Sequence, residues 1–255
     1  MKSVTVTFVV SYFRGLRYLR RFHWNANRVC RYLQKNGINA RVVVAVNDPT
    51  PLEKKRWENI GRQSRFFQIL WTPRETVYAS WNRVLNDQAE SNVFLIWNMD
   101  DFRYARGALA QCESLLLPGP RLAVSDFHVL ELRFWPPSLG WQGDRKGSTH
   151  SPSPFLGFNR EALVSTGPFI EEFQITGDKE WFYRAQSRGI EPSLLAEPSG
   201  ILYHAHRGLS TSGDPRRICE NLVVQEMYPH LNSMHWGYYR NLREKVFQIL
   251  EGRQK

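Results

Sequence analysis

The chain has 255 residues and a formal net charge of +10, from 34 Lys and Arg against 24 Asp and Glu. That length suits one large domain, or one with an appended tail, with room for a real core, and the apolar and charged fractions are ordinary for a globular protein. The positive surplus favours polyanions, namely nucleic acid, acidic lipid headgroups or nucleotide phosphates, without choosing among them.

The first element, Val4 to Val10, alternates Thr with Val and lacks a small-residue cleavage site, so it reads as a strand and not as a signal peptide. Leu16, Leu19, Phe22, Ala26, Val29, Cys30 and Leu33 follow at helical spacing until Asn36-Gly37. Ala40 to Val46 is a second apolar strand closed by Asn47, Asp48 and Pro49. A charged helical stretch, Leu52 to Arg62, precedes a third strand, Phe66 to Trp71. Val77, Trp81, Leu85 and Ala89 mark another helix, which leads into a fourth strand, Val93 to Trp97. Strands alternating with helices predict an α/β fold with a mostly parallel sheet covered on both faces. Ligands in such sheets gather at the carboxyl ends of strands, so Asn47-Asp48 and Asn98 to Asp101 should line one rim.

The second half is less regular. Ala108 to Leu117 reads as a helix ended by Pro118-Gly119-Pro120, and Arg121 to His128 as one strand. Trp135 to Pro154, punctuated by Gly, Ser and Pro, reads as a long loop, which in a compact domain is usually functional or disordered. Phe155 to Phe158 returns to the core before a short helix, Arg160 to Ser165, and Leu242 to Leu250 is an amphipathic helix. Cys30, Cys112 and Cys219 form no metal-like spacing, and an odd, sparse set suits a reducing, cytoplasmic compartment. Cys30 and Cys112 are expected in the core. No apolar run approaches the length of a membrane span, which leaves at most peripheral membrane contact.

Chemistry concentrates at the end of the fourth strand, where Asn98, Asp100 and Asp101 follow five apolar residues. Carboxylates there are costly unless something uses them, most simply a divalent cation carrying phosphate oxygens. On an extended chain Asn98 and Asp100 share a face and Asp101 opposes them. Asp and Asn are also ordinary turn residues, so the segment alone does not decide between a site and a turn. Asp178 opens a helix-periodic run, Trp181 to Ala185, where an Asp commonly caps the helix. His204 and His206 follow a short apolar strand, Gly200 to Tyr203, and share one face of it, with Arg207 beside them able to clasp phosphate.

In this order the segments resemble a GT-A fold nucleotide-sugar glycosyltransferase of the family 2 pattern, over roughly residues 4–210. S-Y-F-R-G-L-R-Y-L-R (11–20) resembles the family's first strand-to-helix turn, and V-V-V-A-V-N-D-P-T (42–50) the strand whose acidic end holds the donor's uracil and ribose. W-N-M-D-D (97–101) sits where the family has its D-x-D metal motif. F-L-G-F-N-R-E-A-L-V-S-T-G-P-F (155–169) resembles the acceptor-placing segment, T-G-D-K-E-W-F-Y-R-A-Q-S-R-G (176–189) the region of the general base, and Y-H-A-H-R-G-L-S (203–210) the closing His-containing loop.

The resemblance implies a GT-A domain over 1–210, with a nucleotide-binding half (1–104), an irregular acceptor and catalytic half (105–210), and a helical C-terminal extension (211–255) packed on it. It implies donor contacts from Ser11, Tyr12, Arg14, Asn47, Asp48, Asn98 and Asp100. It also implies a Mn or Mg ion held by Asp100 with His204 or His206, Asp178 as catalytic base, and Glu180 and Trp181 at the acceptor. Asn47, Asn98 and Gly177 replace acidic residues of the pattern, which puts metal dependence in question. A single carboxylate base with no second nucleophile favours inversion. The acceptor stays open between a cell-surface glycan or lipid-linked sugar and a hydroxymethylated base in phage-like DNA, which would have to be flipped out of a duplex. Trp135, Trp141, Arg145 and Lys146 of the long loop are the expected acceptor contacts, by stacking and phosphate contact for DNA, with the aromatics equally suited to pack on a sugar acceptor. Two rival readings are weaker. A non-catalytic nucleic-acid-binding protein on a degenerate GT-A fold explains the charge but not Asp100, Asp178 and His204 in register. A nucleotidyltransferase would want a Gly-rich phosphate loop, and residues 11–17 hold only Gly15.

Overall fold

A computed structural model of the chain describes residues 4–131, 141–145, 152, 154–204 and 215–231. The first half alternates β1 (Thr5–Tyr12), α1 (Leu16–Lys35), β2 (Asn39–Asn47), α2 (Pro51–Gln63), β3 (Phe67–Thr72), α3 (Val77–Asp87) and β4 (Val93–Ile96). After a turn come β5 (Phe102–Arg103), α4 (Ala105–Leu115), β6 (Leu122–Ser125), β7 (Phe127–Glu131), β8 (Trp141–Arg145) and β9 (Gly157–Asn159). The chain continues through α5 (Arg160–Thr166), α6 (Gly177–Ser187), β10 (Pro192–Leu195), β11 (Gly200–His204) and α7 (Pro215–Met227).

Seven strands form one sheet in the order β10-β6-β9-β4-β1-β2-β3, and β5-β11-β7-β8 form a smaller second sheet. In the large sheet β9 runs antiparallel to both β4 and β6, and the other neighbours are parallel. The strands read as unbroken apolar runs because both faces are covered. Phe8 and Val10 of β1, with Val42, Val44 and Val46 of β2, meet Leu19, Phe22, Val29 and Cys30 of α1 and Cys112 of α4. Val9, Val43 and Ala45 face the other way, toward Trp81, Val84 and Leu85 of α3 and Trp181 and Phe182 of α6. Alternation along each strand thus feeds two cores. Cys30 and Cys112 lie in the first core as expected, and Cys219 is exposed.

The structure corrects the sequence reading in three places. The single strand expected over Arg121 to His128 is two, because β6 belongs to the large sheet and β7 to the small one. The break falls at Asp126, whose amide bonds the Leu195 carbonyl while its own carbonyl accepts from Ser199. The segment Trp135 to Pro154 is not all loop, since β8 pairs antiparallel with β7. Third, the chain is not extended from Asn98 to Asp101 but turns there, closed by the Asp101 amide on the Asn98 carbonyl. The helix expected at Leu242 to Leu250 lies outside the described residues.

Where α4 crosses the segment carrying Ser199, the two backbones touch. A Cβ on Gly107 would run into the Pro198 carbonyl and the Ser199 Cα. Since backbone cannot swing aside as a flexible side chain can, Gly107→Ala should destabilise the fold by about 1–3 kcal/mol. A urea midpoint lowered at unchanged slope is the expected reading, and a wild-type midpoint would show that this contact gives way freely.

Candidate active site

The parallel strands β1, β2, β3 and β4 end at one rim. At the β1 and β2 ends, Arg14 (φ 52) and Asp48 (φ 41) both adopt left-handed backbone, a conformation held only where surroundings enforce it. Here the enforcement is ionic. Arg14 donates to Asp48 at 3.1 Å and to Glu53 at 2.8 Å. Glu53 opens α2 in a capping box with Thr50. It is 2% exposed, and its other oxygen takes the Tyr12 hydroxyl at 2.6 Å. Burial pushes the Glu53 carboxyl up, but the hydrogen bonds from Tyr12, Thr50 and Arg14 outweigh it and hold the pKa at about 2. Burial, then the bond to Glu53, raises the Tyr12 hydroxyl.

Asn47 and Tyr12, both expected at the donor, are buried. Asn47 donates to the hydroxyls of Ser11 (3.2 Å) and Ser80 (2.7 Å) and accepts from Thr72 (2.6 Å), which ties β1, β2, β3 and α3 together. Tyr12 packs edge-on against Trp57. These two shape the rim from beneath. Ser11 is half-buried, and Arg14 and Asp48 lie at the surface.

Past β4, Trp97 is fully buried and donates its indole N–H to the Asp101 carbonyl at 3.2 Å. Asp101 is also buried, and its carboxylate accepts from Asn98 Nδ2 at 3.3 Å. That bond leaves Asn98 Oδ1 without a hydrogen bond among the described residues. Asp100 is half-buried beside Arg17 and Arg21, and Arg21 donates to its backbone carbonyl. Burial raises the Asp100 carboxyl above the ordinary aspartate range, opposed by its own backbone N–H and then by the two arginines. Arg103, which sequence reasoning passed over, holds this turn from below. It is completely buried among Phe8, Trp97 and Phe155 and donates to the Ile96 carbonyl at 2.7 Å. Burial lowers its pKa to about 9.

Asp178 lies in the first turn of α6, just inside the helix, and does not cap it; Thr176 is the N-cap. The half-buried carboxylate accepts from the Lys179 amide (2.9 Å) and the Tyr78 hydroxyl (3.3 Å). Burial raises its pKa, opposed by those two donors and by the Lys179 charge. Gly177 has a physical reason here, since a Cβ would meet the Tyr78 ring at 2.7 Å and displace the tyrosine from Asp178. The loop entering α6 is fixed from α7, where Glu220 accepts the backbone N–H groups of Gln174, Ile175 and Thr176 at 2.8–2.9 Å. Neither Tyr78 nor Glu220 was legible as a partner, because they lie 100 and 44 residues from the groups they hold.

Two expected acceptor residues are corrected. Glu180 is fully buried, paired with Arg184 and bonded to the Tyr228 hydroxyl. Trp181 is fully buried against Phe158 and Phe169, with its indole N–H on the Gly167 carbonyl. Both build the core. His204 ends β11 and Trp141 and Arg145 bound β8, each described by backbone only. Lys146, His206, Arg207 and Trp135 lie outside the described residues. Among the described residues no three His, Cys, Asp or Glu side chains cluster as metal ligands.

Solved structures share this architecture. The mannosyltransferase PcManGT from Pyrobaculum calidifontis, in complex with GDP-Man and Mn2+, matches 88% of this chain with a TM-score of 0.64 at 13% identity. S. aureus TarS 1-349 in complex with UDP-GlcNAc matches 82% with a TM-score of 0.58 at 15% identity. The chain has the GT-A glycosyltransferase fold. It spans about three fifths of those structures, 63% and 61% respectively. No protein-family model and no curated protein sequence matches it. Among the described residues no helix is long and apolar enough to cross a membrane.

Glu53 gives this rim a testable pH dependence. Its folded pKa is depressed, so its contribution is fully present above the unfolded glutamate pKa of about 4.3 and is lost as pH falls toward about 2. Glu53→Gln should cost about 2 kcal/mol at neutral pH through weakened charged hydrogen bonds, a figure held down because Arg14 can turn to water. The same change should flatten the loss of thermal stability across that acid window. An unchanged acid limb would overturn the assignment.

Proposed function

We propose that the chain transfers a sugar from a nucleotide-sugar donor to an acceptor hydroxyl with inversion, using Asp178 as general base. The supporting observation is Asp178 itself, a carboxylate oriented by Tyr78 and the Lys179 amide on a GT-A fold whose compared structures carry GDP-Man or UDP-GlcNAc. In this reading the acceptor oxygen attacks the anomeric carbon, the bond from that carbon to the donor diphosphate breaks, and the acceptor proton passes to Asp178. A raised carboxyl pKa makes the ionised carboxylate a stronger base. Arg14 and Asp48 are exposed at the donor end of the rim and would meet the nucleoside. Arg17 and Arg21 set positive charge beside Asp100, where the leaving diphosphate gains negative charge. A divalent Mn or Mg ion, when bound, would neutralise that diphosphate, with Asp100 the carboxylate to hold it. The net charge of +10 favours an acceptor that is itself anionic.

A panel of GDP- and UDP-sugars tested for protection against thermal unfolding identifies the donor, since a specific ligand stabilises by mass action. No protection by any of them would remove the donor reading.

Asp178→Asn should lower turnover at least about a hundredfold while donor protection persists. The same change should raise the melting temperature at neutral pH. A carboxyl whose folded pKa is raised favours the fold only while protonated, so ionised Asp178 lowers stability and neutral Asn removes that cost. Near wild-type turnover would sink the assignment.

Asp100→Ala should abolish whatever part of donor protection a chelator removes from the wild type. Full protection and turnover after exhaustive chelation would instead place the leaving-group charge on Arg17 and Arg21.

A further inference from the structure

Helix α1 carries Arg17, Arg20, Arg21, Arg28, Arg31 and Lys35 and no acidic residue along its 20 positions. Like charges three or four residues apart repel, so this outer face opposes its own helix unless something neutralises it. Arg20, Arg28, Arg31 and Lys35 lie on one exposed side, over about 22 Å of helix at 1.5 Å per residue. They line a concave groove of about 920 Å³ together with Arg106 from the first turn of α4. Glu197 is the one acidic residue lining it. Among the described residues no ion pair takes up any of those five cations.

The groove also has an aromatic side. Trp24 is 57% exposed and rests on Phe102, with ring centroids 6.1 Å apart, and Phe102 in turn meets Tyr104 edge-on at 6.0 Å. Arg28 stands 5.8 Å from the Trp24 ring. A planar group stacked on the indole would therefore lie beside a cation. One end of the groove adjoins the rim, because Arg21, next to Arg20, bonds the Asp100 carbonyl.

We infer that this groove binds single-stranded nucleic acid, with backbone phosphates on the α1 arginines and Lys35 and a base on Trp24. Three features select that partner. A row of cations along a trough suits a chain with regularly spaced negative charge, whereas an anionic membrane surface wants a flat or convex face. Exposed aromatic surface between the cations suits a polymer that alternates phosphate with planar rings. Arg outnumbers Lys in the groove, and its planar guanidinium suits phosphate. The inference goes beyond the proposed transferase activity and does not depend on it, since binding can be measured with no donor present.

The test is fluorescence anisotropy of a labelled oligo-dT of about 15 nucleotides, a length within the range single-strand sites cover, with the full chain over a salt series. Binding should weaken with salt by about 0.7 in log slope per phosphate neutralised, and quench tryptophan emission. The triple variant Arg28→Gln, Arg31→Gln, Lys35→Gln should lose at least about tenfold in affinity and shed about two units of that slope. Trp24→Ala should lose about fivefold or more with the slope intact. A control that removes the same charge elsewhere, Lys55→Gln, Arg56→Gln, Arg62→Gln on α2, should bind as wild type. Melting temperatures no lower than wild type in all variants confirm folding, since every replaced side chain is exposed. No binding at low salt overturns the inference, as does equal loss in the α2 control. Polyphosphate or anionic phosphatidylserine vesicles bound as tightly as the oligonucleotide and indifferent to Trp24→Ala would overturn it too, by reducing the groove to a general anion surface.

Discussion

A sheet buried on both faces leaves its strand ends as the place where backbone and side chain can meet water, and that constraint organises this molecule. Helices α1, α2 and α4 close one face, and α3 and α6 close the other. Polar chemistry is thereby pushed to the carboxyl rim, where each buried group must be paired or cost several kcal/mol. Glu53 shows the solution at its most complete. Two carboxylate oxygens accept from Tyr12, Arg14 and Thr50, and through them one side chain fixes the end of β1, the strained Arg14 and the start of α2. Asn47 does the same at the next layer for β1, β2, β3 and α3.

The same rim holds carboxylates in opposite states of comfort, and environment alone separates them. Glu53 is surrounded by donors and favours the fold when ionised. Asp178 and Asp100 are desolvated without enough donors to compensate, so their ionised forms are less favourable. In the proposed reaction these desolvated carboxylates act on something external, a proton for Asp178 and positive charge for Asp100.

Much of the first half was legible because its signals are local. Apolar runs give β1 to β4 and helical spacing gives α1 to α3, each within a residue or two. Failures arose where contacts distant in sequence decide. Nothing local at Asp126 announces that β6 and β7 join different sheets, because the break is set by Leu195 and Ser199. The turn at Asn98 to Asp101 depends on Trp97 and on buried Arg103, so extending the strand's alternation into it placed the side chains wrongly. The Thr50 to Glu53 capping box is local, but that Glu53 also takes Tyr12 and Arg14 is decided 41 and 39 residues away. Glu180 failed for a simpler reason. Two residues along a helix turn by about 200°, so a residue at that spacing from Asp178 faces the opposite side.

Helix α1 shows how one element can serve the core and tolerate an outer face rich in cations. Its inner side buries Leu19, Phe22, Ala26, Val29, Cys30 and Leu33. A fully buried Leu, Val or Phe contributes about 1.5–3 kcal/mol, whereas a like-charge pair one turn apart costs about 0.2–0.5 kcal/mol. The large side chains Leu19, Phe22, Val29 and Leu33 outweigh the repulsion among the outer cations several times over. Stability therefore does not require acidic residues on the outer face, and their absence costs little in folding while keeping a strong positive field beside the rim. That field acts on whatever approaches, steering anionic partners toward the strand ends before any specific contact forms. Burial on one side of the helix is what makes charge on the other tolerable, and the first turns carry part of that charge beside Asp100.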